Sequence, residues 1–314
     1  MDIATRPIIR IIMPITAWCC GFFFCFVTGH VLREHWTQCS IGEWLIHWWS
    51  DISVLLQHRL EAMPLNKDTM SQLMALTLGK REYLSPELKH LYRNAGGSHI
   101  LALSGMHLGI VYGMCRILIN RMFYTRCKWP GVICALVLIW SFALLTGCPM
   151  SLIRAAVMAS LLITLQATGR NRNILDILSL SISIIVMTDP AAAFDIGFQL
   201  SCAAMLGIIL IANPEISHYA RKAGVFKYIV SAVWISFAAQ LATAPLCIWY
   251  FHSLALYSTL TSLFAIPITT AIIYCSIGLY LGWEFMIPVV EFMLDLENTL
   301  MELVSTWPYS YITF

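Results

Sequence analysis

Long apolar segments separated by short loops dominate this sequence and restrict what it can fold into. Of its 314 residues, 59% are hydrophobic and 11% are charged, whereas a soluble domain carries roughly 25% charged residues. A helix that crosses a bilayer needs about 20 mostly apolar residues, and several segments reach that length. We therefore predict an all-α fold, a polytopic transmembrane helix bundle of about eight or nine spans.

The segments can be placed along the chain. We predict spans at residues 9–29, 98–119, 129–147, 151–168, 174–188, 194–212, 227–251 and 257–282, the last of them interrupted by Pro267. The final segment, 284–306, contains five carboxylates: Glu284, Glu291, Asp295, Glu297 and Glu302. A carboxylate at a helix centre costs roughly 2.5–3.5 kcal/mol on insertion scales. We therefore expect an interfacial or bundle-packed helix there rather than a full span.

These patterns divide the chain into four parts. They are an N-terminal transmembrane anchor at 1–29, an extracytoplasmic or interfacial amphipathic helical insert at 30–97, a transmembrane core at 98–283, and an acidic C-terminal helix at 284–314. In the insert, a Trp-rich helix is predicted at 43–63, which either lies in the headgroup plane or packs on the bundle. Shorter helices are predicted at 68–79, ending at Gly79, and at 85–94, with Ser85 as the N-cap.

Basic residues alternate between the loops and predict the orientation. Lys and Arg precede the first span and fill the loops after the second, fourth and sixth spans, while the loops between them contain none. By the positive-inside rule, the N-terminus lies in the cytoplasm and residues 30–97 lie outside. The basic residues concerned are Arg6, Arg10, Arg121, Arg126, Lys128, Arg170, Arg172, Arg221, Lys222 and Lys227.

Polar side chains inside the predicted spans are the main functional candidates, because such groups are costly in lipid and mark either helix packing or a pathway. His99, Ser104 and His107 lie in the second span, where Gly105, with Gly109 and Gly113, forms one face. Their polar atoms either bond neighbouring helices or line a polar passage. We expect the Gly face to pack against another helix.

Further candidates follow along the chain. Arg154 lies in the first turns of a helix that begins after Pro149, and it either snorkels to the outer interface or faces the bundle and attracts an anion. Asp195 occupies an N-cap position, with Gln199 one turn later. Gln240 lies in a stripe of uncharged polar residues that suits either helix contact or the wall of a wet channel.

Known enzyme and metal patterns are missing from the sequence. It contains no HExxH, GxSxG, Walker A or Rossmann glycine pattern, and no Cys/His cluster has zinc spacing. His99 and His107 are eight residues apart, a poor chelate on one helix. We therefore predict no catalytic residues, no metal and no cofactor.

Four segments of the chain, three of them at these polar places, resemble the hallmark segments of the ComEC competence family, in the family's order. "NAGGSHILALSGMHLGIVYG" is similar to a hallmark that falls on Gly97, His99, Ser104, Gly105 and His107. "TGCPMSLIRAAVM" is similar to a segment that falls on Thr146, Gly147, Ser151, Arg154 and Ala155. "GRNRNILDILSLS" resembles the Gly-Arg turn at Gly169 and Arg170. "DPAAAFDIGFQLSCAAM" resembles a segment that falls on Asp189, Pro190, Gly197, Phe198, Gln199, Leu200 and Ser201.

The resemblance covers roughly residues 70–280 and implies a channel component of the bacterial inner membrane that imports single-stranded DNA during natural transformation. The residues expected along the DNA path are His99, Ser104, His107, Arg154, Arg170, Arg172, Gln199 and Gln240. The soluble OB-like and metallo-β-lactamase-like modules of longer members have no counterpart in the sequence. The resemblance therefore implies neither nuclease activity nor a metal.

The expected partners follow from this function. They are single-stranded DNA and the lipid bilayer, with separate DNA receptor, nuclease or cytoplasmic motor proteins and further copies of the chain as candidates. The alternative is a membrane transporter for a small polar or anionic solute. A membrane-bound enzyme acting on a lipid or glycan is a third hypothesis.

Overall fold

The computed structural model describes residues 40–122, 129–169, 173–212 and 227–313. This part of the chain is mostly helical, with one two-stranded sheet. The predicted first span, Arg170 and Arg172 lie outside the described residues. The helices are α1 (Ser40–Glu61), α2 (Lys67–Leu73, continued by a π-helical turn Met74–Leu78), α3 (Pro86–Asn94), α4 (Ser98–Leu101), α5 (Gly105–Met122), α6 (Trp129–Leu145), α7 (Met150–Ala167), α8 (Ile174–Thr188), α9 (Ile196–Gly207, continued by a π-helical turn Ile208–Ala212), α10 (Lys227–Phe251), α11 (Ser258–Tyr280) and α12 (Ile287–Ser305).

The helices fall into two compact units. The first unit includes Val111–Leu144 and Cys148–Cys202, and so contains α6, α7 and α8. The second includes Ser50–Ile110, Leu145–Gly147 and the chain from Ala203 onward, and so contains α2 to α4 and α10 to α12. Three helices, α1, α5 and α9, are divided between the two units, and the last residue of α6, Leu145, belongs to the second.

The second unit has a large apolar core organised around α12. The buried face of α12 carries Ile287, Val290, Leu294 and Met301, whose spacing places them on one side of a helix. They pack with residues of α2, α3, α4 and α11, including Tyr92. The final predicted segment is therefore a bundle-packed helix along this face.

A short sheet and an aromatic contact join the chain after α12 to the α10–α11 connection. Strands β1 (Ser253–Ala255) and β2 (Tyr311–Thr313) are antiparallel, with Leu254 opposite Ile312. The Tyr257 ring meets Trp307 edge to face at 5.2 Å between centroids, and the Tyr257 hydroxyl donates to the Pro308 carbonyl at 3.1 Å. The end of the described chain is thus attached to the second unit.

The first unit has a smaller core between α8 and α9. Ile185, Val186, Ala192 and Phe198 are buried together, beneath a 3-10 turn at Pro190–Phe194. Helices α7 and α8 pack along each other. This core positions the segment that carries Asp189 and Asp195.

The predicted helix boundaries at Gly79 and Ser85 are confirmed, because local capping determines them. Ser85 accepts a hydrogen bond from the Leu88 N–H at 3.2 Å, with Pro86 at the first helical position. Gly79 ends the second helix in the left-handed region, with φ +76°. The Trp-rich helix forms as α1, with Trp48 and Leu55 exposed and Leu60 buried. Both a packed side and an exposed apolar side are therefore present in α1.

Three described helices are long and apolar enough to cross a membrane: Met150–Ala167, Ile229–Phe251 and Ser258–Tyr280. Three more, Trp129–Leu145, Ile174–Thr188 and Ile196–Ile211, are apolar but shorter. The length and apolar composition of these helices indicate a membrane protein. The predicted count of about eight or nine spans exceeds the three that meet both criteria in the described part of the chain.

The predicted second span is not one helix. Ala102 adopts an extended conformation after α4, and the helix restarts at Gly105. The physical reason lies in Ser104, whose hydroxyl accepts from the Met106 N–H at 3.3 Å and so caps a new helix start.

Pro267 does not interrupt α11, which is continuous from Ser258 to Tyr280. Proline removes one backbone donor, yet helices in lipid tolerate it where Ser and Thr hydroxyls bond freed carbonyls. The carbonyl that Pro267 leaves without its helical donor is that of Leu263. The hydroxyls of the next turn bond other carbonyls, Thr269 that of Ala265 at 2.8 Å and Thr270 that of Ile266 at 2.7 Å, so the helix loses one backbone bond and continues. The prediction of a broken span there is wrong.

The predicted packing of the α5 glycine face is also not seen among the described residues. A Cβ atom added at Gly109 or Gly113 would meet no atom within 4 Å.

Candidate functional site

The break between α4 and α5 holds the most buried histidine of the described chain. His107 is 0% exposed and lies three residues after Ser104, the cap of α5. Its Nδ1 is 3.4 Å from the Ser104 backbone nitrogen and 3.3 Å from the Ser104 hydroxyl oxygen. This is the geometry of a capping box, in which the third helical residue reaches back to the N-cap, with imidazole in place of a carboxylate.

The capping contact fixes the tautomer of His107. A backbone N–H can only donate, so Nδ1 must be the acceptor, and the proton of a neutral imidazole then resides on Nε2. Nε2 is buried and has no hydrogen-bond partner. His107 therefore presents a buried N–H donor that the described protein does not satisfy.

His99, at the start of the same motif, is attached to α11. Its Nε2 is 3.1 Å from the Ser262 hydroxyl, which itself donates to the Ser258 carbonyl at 2.7 Å. Since the single hydroxyl proton is used in that bond, the imidazole donates to Ser262. His99 is exposed, unlike His107.

The glycines before His99 bring the backbone close to its neighbours. Gly96 has φ +75°, and a Cβ there would lie 2.9 Å from the Ser258 Cα. A Cβ at Gly97 would lie 2.9 Å from the Met301 sulfur. The motif therefore needs glycine for the turn and for its close approach to α11 and α12.

Gln240 belongs to this unit and its amide is fully engaged within the protein. Its Nε2 donates to the Ala255 carbonyl at 2.7 Å and to the Leu256 carbonyl at 3.3 Å. Its Oε1 accepts from the Thr259 hydroxyl at 2.6 Å. Gln240 thus holds the α10–α11 connection in place.

In the first unit, Arg154 is the buried cation. It is 4% exposed and lies in the second turn of α7, which begins at Met150 after the turn formed by Gly147, Cys148 and Pro149, where Gly147 has φ +77°. One guanidinium nitrogen donates to the Ser201 hydroxyl, another contacts the Met158 sulfur at 3.5 Å, and Nε has no partner. Arg154 therefore points into the protein and does not snorkel.

The described residues give Arg154 no carboxylate partner, since the one ion pair among them joins His58 and Glu61. A buried guanidinium without a counter-charge is unfavourable. The arrangement can therefore accept an anion. Ser201, which belongs to a hallmark-like segment but was not among the predicted path residues, accepts a hydrogen bond from Arg154.

In the segment before Ser201, the carboxylates of Asp189 and Asp195 each cap the start of a helical turn. Asp189 accepts from the Ala191 N–H at 3.1 Å, after which Pro190 begins a 3-10 turn. Asp195 accepts from the Phe198 N–H at 2.7 Å, which confirms the predicted N-cap. A Cβ at Gly197 would lie 3.1 Å from the Asp195 Oδ1, so the small residue leaves room for that cap.

Gln199 follows Asp195 in the first turns of α9, and its Nε2 donates to the Ala193 carbonyl at 3.0 Å. The predicted site residues thus fall into two groups. His99, Ser104, His107 and Gln240 lie in the second unit, and Arg154 and Gln199 lie in the first.

Glu297 is the buried polar residue that sequence reasoning missed as a site. It is 0% exposed, and its Oε2 has no hydrogen-bond partner. In the sequence it is one of five carboxylates on a C-terminal helix, and its register on the packed face of α12 is the one signal that separates it from the others. In the part of the chain that the structure describes, no group of three or more His, Cys, Asp or Glu could hold a metal ion.

Comparison with known proteins gives one family match. The model of the family described as "Competence protein" matches residues 76–313. No solved structure matches this chain.

Three curated relatives align with most of the chain at low identity. ComE operon protein 3 of Bacillus subtilis is 27% identical over 207 residues, which cover 65% of this chain and 25% of that protein. Recombination protein 2 of Haemophilus influenzae is 26% identical over 237 residues, covering 70% of this chain and 29% of that protein. The uncharacterized protein YcaI of Escherichia coli is 26% identical over 226 residues, covering 69% and 29%. This chain therefore spans about a quarter of the length of these relatives.

Proposed function

This chain belongs to the competence protein family, and from that membership and its buried polar groups we propose that it is a channel component that translocates single-stranded DNA into the cytoplasm during natural transformation. We place it in the bacterial inner membrane, with the N-terminus in the cytoplasm, because its basic loop residues alternate as the positive-inside rule requires.

One observation carries the proposal. Among the described residues, buried side-chain nitrogen or oxygen atoms without a partner occur at His107, Arg154 and Glu297. An unsatisfied buried polar group costs about 1–3 kcal/mol, so each such group calls for a physical explanation. Two of the three, an N–H donor and a guanidinium, lie in segments that resemble the family hallmarks and can bond phosphate oxygens.

The two groups suit a polyanion in different ways. Arg154 supplies charge and a planar array of donors that matches phosphate geometry. His107 in its neutral form supplies a donor without charge, which can bond a phosphate or a base edge and release it. We propose that they are two separate contact points for the strand, one in each unit.

The remaining predicted path residues take supporting roles in this proposal. His99 and Gln240 hold the motif and the α10–α11 connection against α11, and Gln199 holds the turn before α9. Arg170 and Arg172 follow α7 on the cytoplasmic side, where basic side chains can receive the emerging strand. Motor, receptor or nuclease activities are proposed to come from separate proteins.

The Arg154 contact can be tested by binding. Purified protein in detergent is titrated with a fluorescent single-stranded oligonucleotide at several salt concentrations. We expect Arg154→Met to weaken binding roughly tenfold or more, because a hydrogen bond to a charged group contributes about 1.5–3 kcal/mol, and Arg154→Lys to retain part of the affinity.

The salt dependence separates a phosphate contact from a folding effect. Loss of one phosphate contact lowers the slope of log K against log salt by about 0.7 for single strands. Ser179→Ala is the matched control, since that hydroxyl bonds the Leu175 carbonyl of its own helix at 2.8 Å. An unchanged slope in Arg154→Met, or uptake of a small anion that depends on Arg154 while DNA transfer does not, contradicts the proposal and favours a solute transporter.

A further inference from the structure

Glu297 sits in a polar cluster where α12 packs on α2, α3 and α11. The amides of Gln72 and Asn298 bond each other, with Gln72 Nε2 donating to Asn298 Oδ1 at 2.6 Å and Asn298 Nδ2 to Gln72 Oε1 at 3.2 Å. The Tyr92 hydroxyl donates to the same Asn298 oxygen at 3.2 Å. Glu297, Tyr92, Gln72 and Thr269 are each fully buried.

The hydroxyls around Glu297 already have acceptors. Thr269 Oγ1 is 2.8 Å from the Ala265 carbonyl oxygen and 3.2 Å from Glu297 Oε1. A hydroxyl has one proton to donate, and a carbonyl oxygen can only accept, so the shorter contact takes the Thr269 proton. The contact between Glu297 and Thr269 is then a hydrogen bond only if the carboxyl group is the donor.

The Tyr92 hydroxyl also lies beside Glu297, and Asn298 Oδ1, at 3.2 Å, competes with the carboxylate for its single proton. An ionised Glu297 would therefore be buried with few donors. It would also lack a counter-charge, because no Lys, Arg or His bonds it among the described residues. The described groups that contact it are Thr269 from α11 and Tyr92 from α3, and of these Tyr92 alone is titratable.

We propose that Glu297 is a proton-binding site: it holds a proton in the folded protein at mildly acidic pH and releases it near neutral pH, and losing that proton weakens the docking of α12 on the second unit. The role is independent of DNA, and it applies whether or not the chain translocates a strand. Glu297 in this role acts as a neutral donor to Thr269, which an amide can mimic.

The direction of the pKa agrees with this geometry. Burial raises the pKa of Glu297 to about 7, against the smaller opposing effects of its contacts with Thr269 and Tyr92. The pKa of Tyr92 is raised well above its ordinary value, by burial first and by the Glu297 charge second. Tyr92 therefore keeps its proton throughout the range in which Glu297 titrates.

The sign of the pH effect follows. A carboxyl group whose pKa is raised on folding stabilises the folded state fully below its unfolded pKa, and this contribution is lost as the pH rises to the folded pKa. Stability should therefore fall between about pH 4.5 and about pH 7.

The test compares three proteins in detergent by thermal unfolding at about pH 5 and about pH 8. Wild type is expected to unfold at a lower temperature at the higher pH. Glu297→Gln is expected to lose most of that difference. At the higher pH it should unfold at a higher temperature than wild type, because its amide donates a hydrogen bond without having to be protonated. Asp295→Asn, an exposed acid two residues away on the same helix, is the matched control and should keep the wild-type difference.

Two outcomes overturn the proposal. One is a pH difference in Glu297→Gln as large as in wild type. The other is destabilisation of Glu297→Gln at both pH values, which means that the charged carboxylate is required. If the variant does not fold, infrared spectroscopy of wild type decides: a protonated carboxylic acid band must be present at mildly acidic pH and vanish on alkalinisation, and its absence refutes the proposal.

Discussion

His107 combines two roles that a single substitution can separate. Its Nδ1 closes the start of α5, and its Nε2–H is the buried donor left over. An Asn side chain can replace Nδ1 as a short acceptor, whereas a Gln side chain can reach the position of Nε2. The two variants therefore remove different halves of the imidazole.

We predict that His107→Asn folds but transfers DNA at least about tenfold less often than wild type, since losing one buried donor to a strand costs about 1–3 kcal/mol. His107→Gln should retain more transfer and show a weaker α5 start. The transfer by both variants is measured as the transformation frequency, normalised to the amount of protein in the membrane. Equal transfer by wild type and His107→Asn would show that Nε2 contacts nothing in the transported strand.

For single residues, the sequence predicts the hydrogen bonds whose donor and acceptor lie close together along the chain. The caps at Ser85 and Asp195 are predictable because donor and acceptor lie three residues apart. The contact of His99 with Ser262 is not predictable, because 163 residues separate the partners. The unpaired state of Glu297 likewise depends on packing between helices that a single sequence does not show.

At the scale of elements, Gly96 determines how closely the turn before α4, at Gly96 and Gly97, approaches α11. A methyl group added at Gly96 would destabilise the folded protein in two ways. The left-handed backbone there is unfavourable for a residue other than glycine, and the methyl carbon would lie 2.9 Å from Ser258. Gly282 has a similar backbone, with φ +93°, but nothing within 4 Å of an added Cβ. It is therefore a matched control for backbone strain alone.

We predict that Gly282→Ala lowers the free energy of unfolding by about 1–2 kcal/mol, because a residue other than glycine is strained in the left-handed region. Gly96→Ala should lower it by at least about 1 kcal/mol more, which is the low end for overpacking. Thermal unfolding in detergent measures both variants. Equal losses would mean that the turn can move away from α11.

The elements themselves show why periodicity alone mispredicts breaks. Pro267 suggests an interruption, yet α11 continues through it, because an α-helix in lipid must keep its remaining backbone bonds. The break that does occur, at Ala102 to Ser104, lies in an apolar stretch without proline. Its signal is the Ser cap followed three residues later by a side chain that can reach back, which here is His107.

At the scale of the whole molecule, the orientation predicted from loop charges can be checked directly. Thr168 and Ala191 are both exposed and lie at opposite ends of α8 and its flanking turns. We predict that a cysteine at position 191, in a cysteine-free background, reacts with a membrane-impermeant maleimide added outside, and that one at position 168 reacts only after the membrane is opened. The reverse pattern would invert the topology.

Transport of DNA across the inner membrane, the function proposed for this chain, can be tested by deleting its gene. We predict that the deletion strain binds DNA at its surface but yields transformants at a frequency at least about a hundredfold below wild type, a loss equivalent to about 2.7 kcal/mol. The intact gene should restore transfer, and Arg154→Met should not. A deletion strain that transforms at the wild-type frequency would contradict the account.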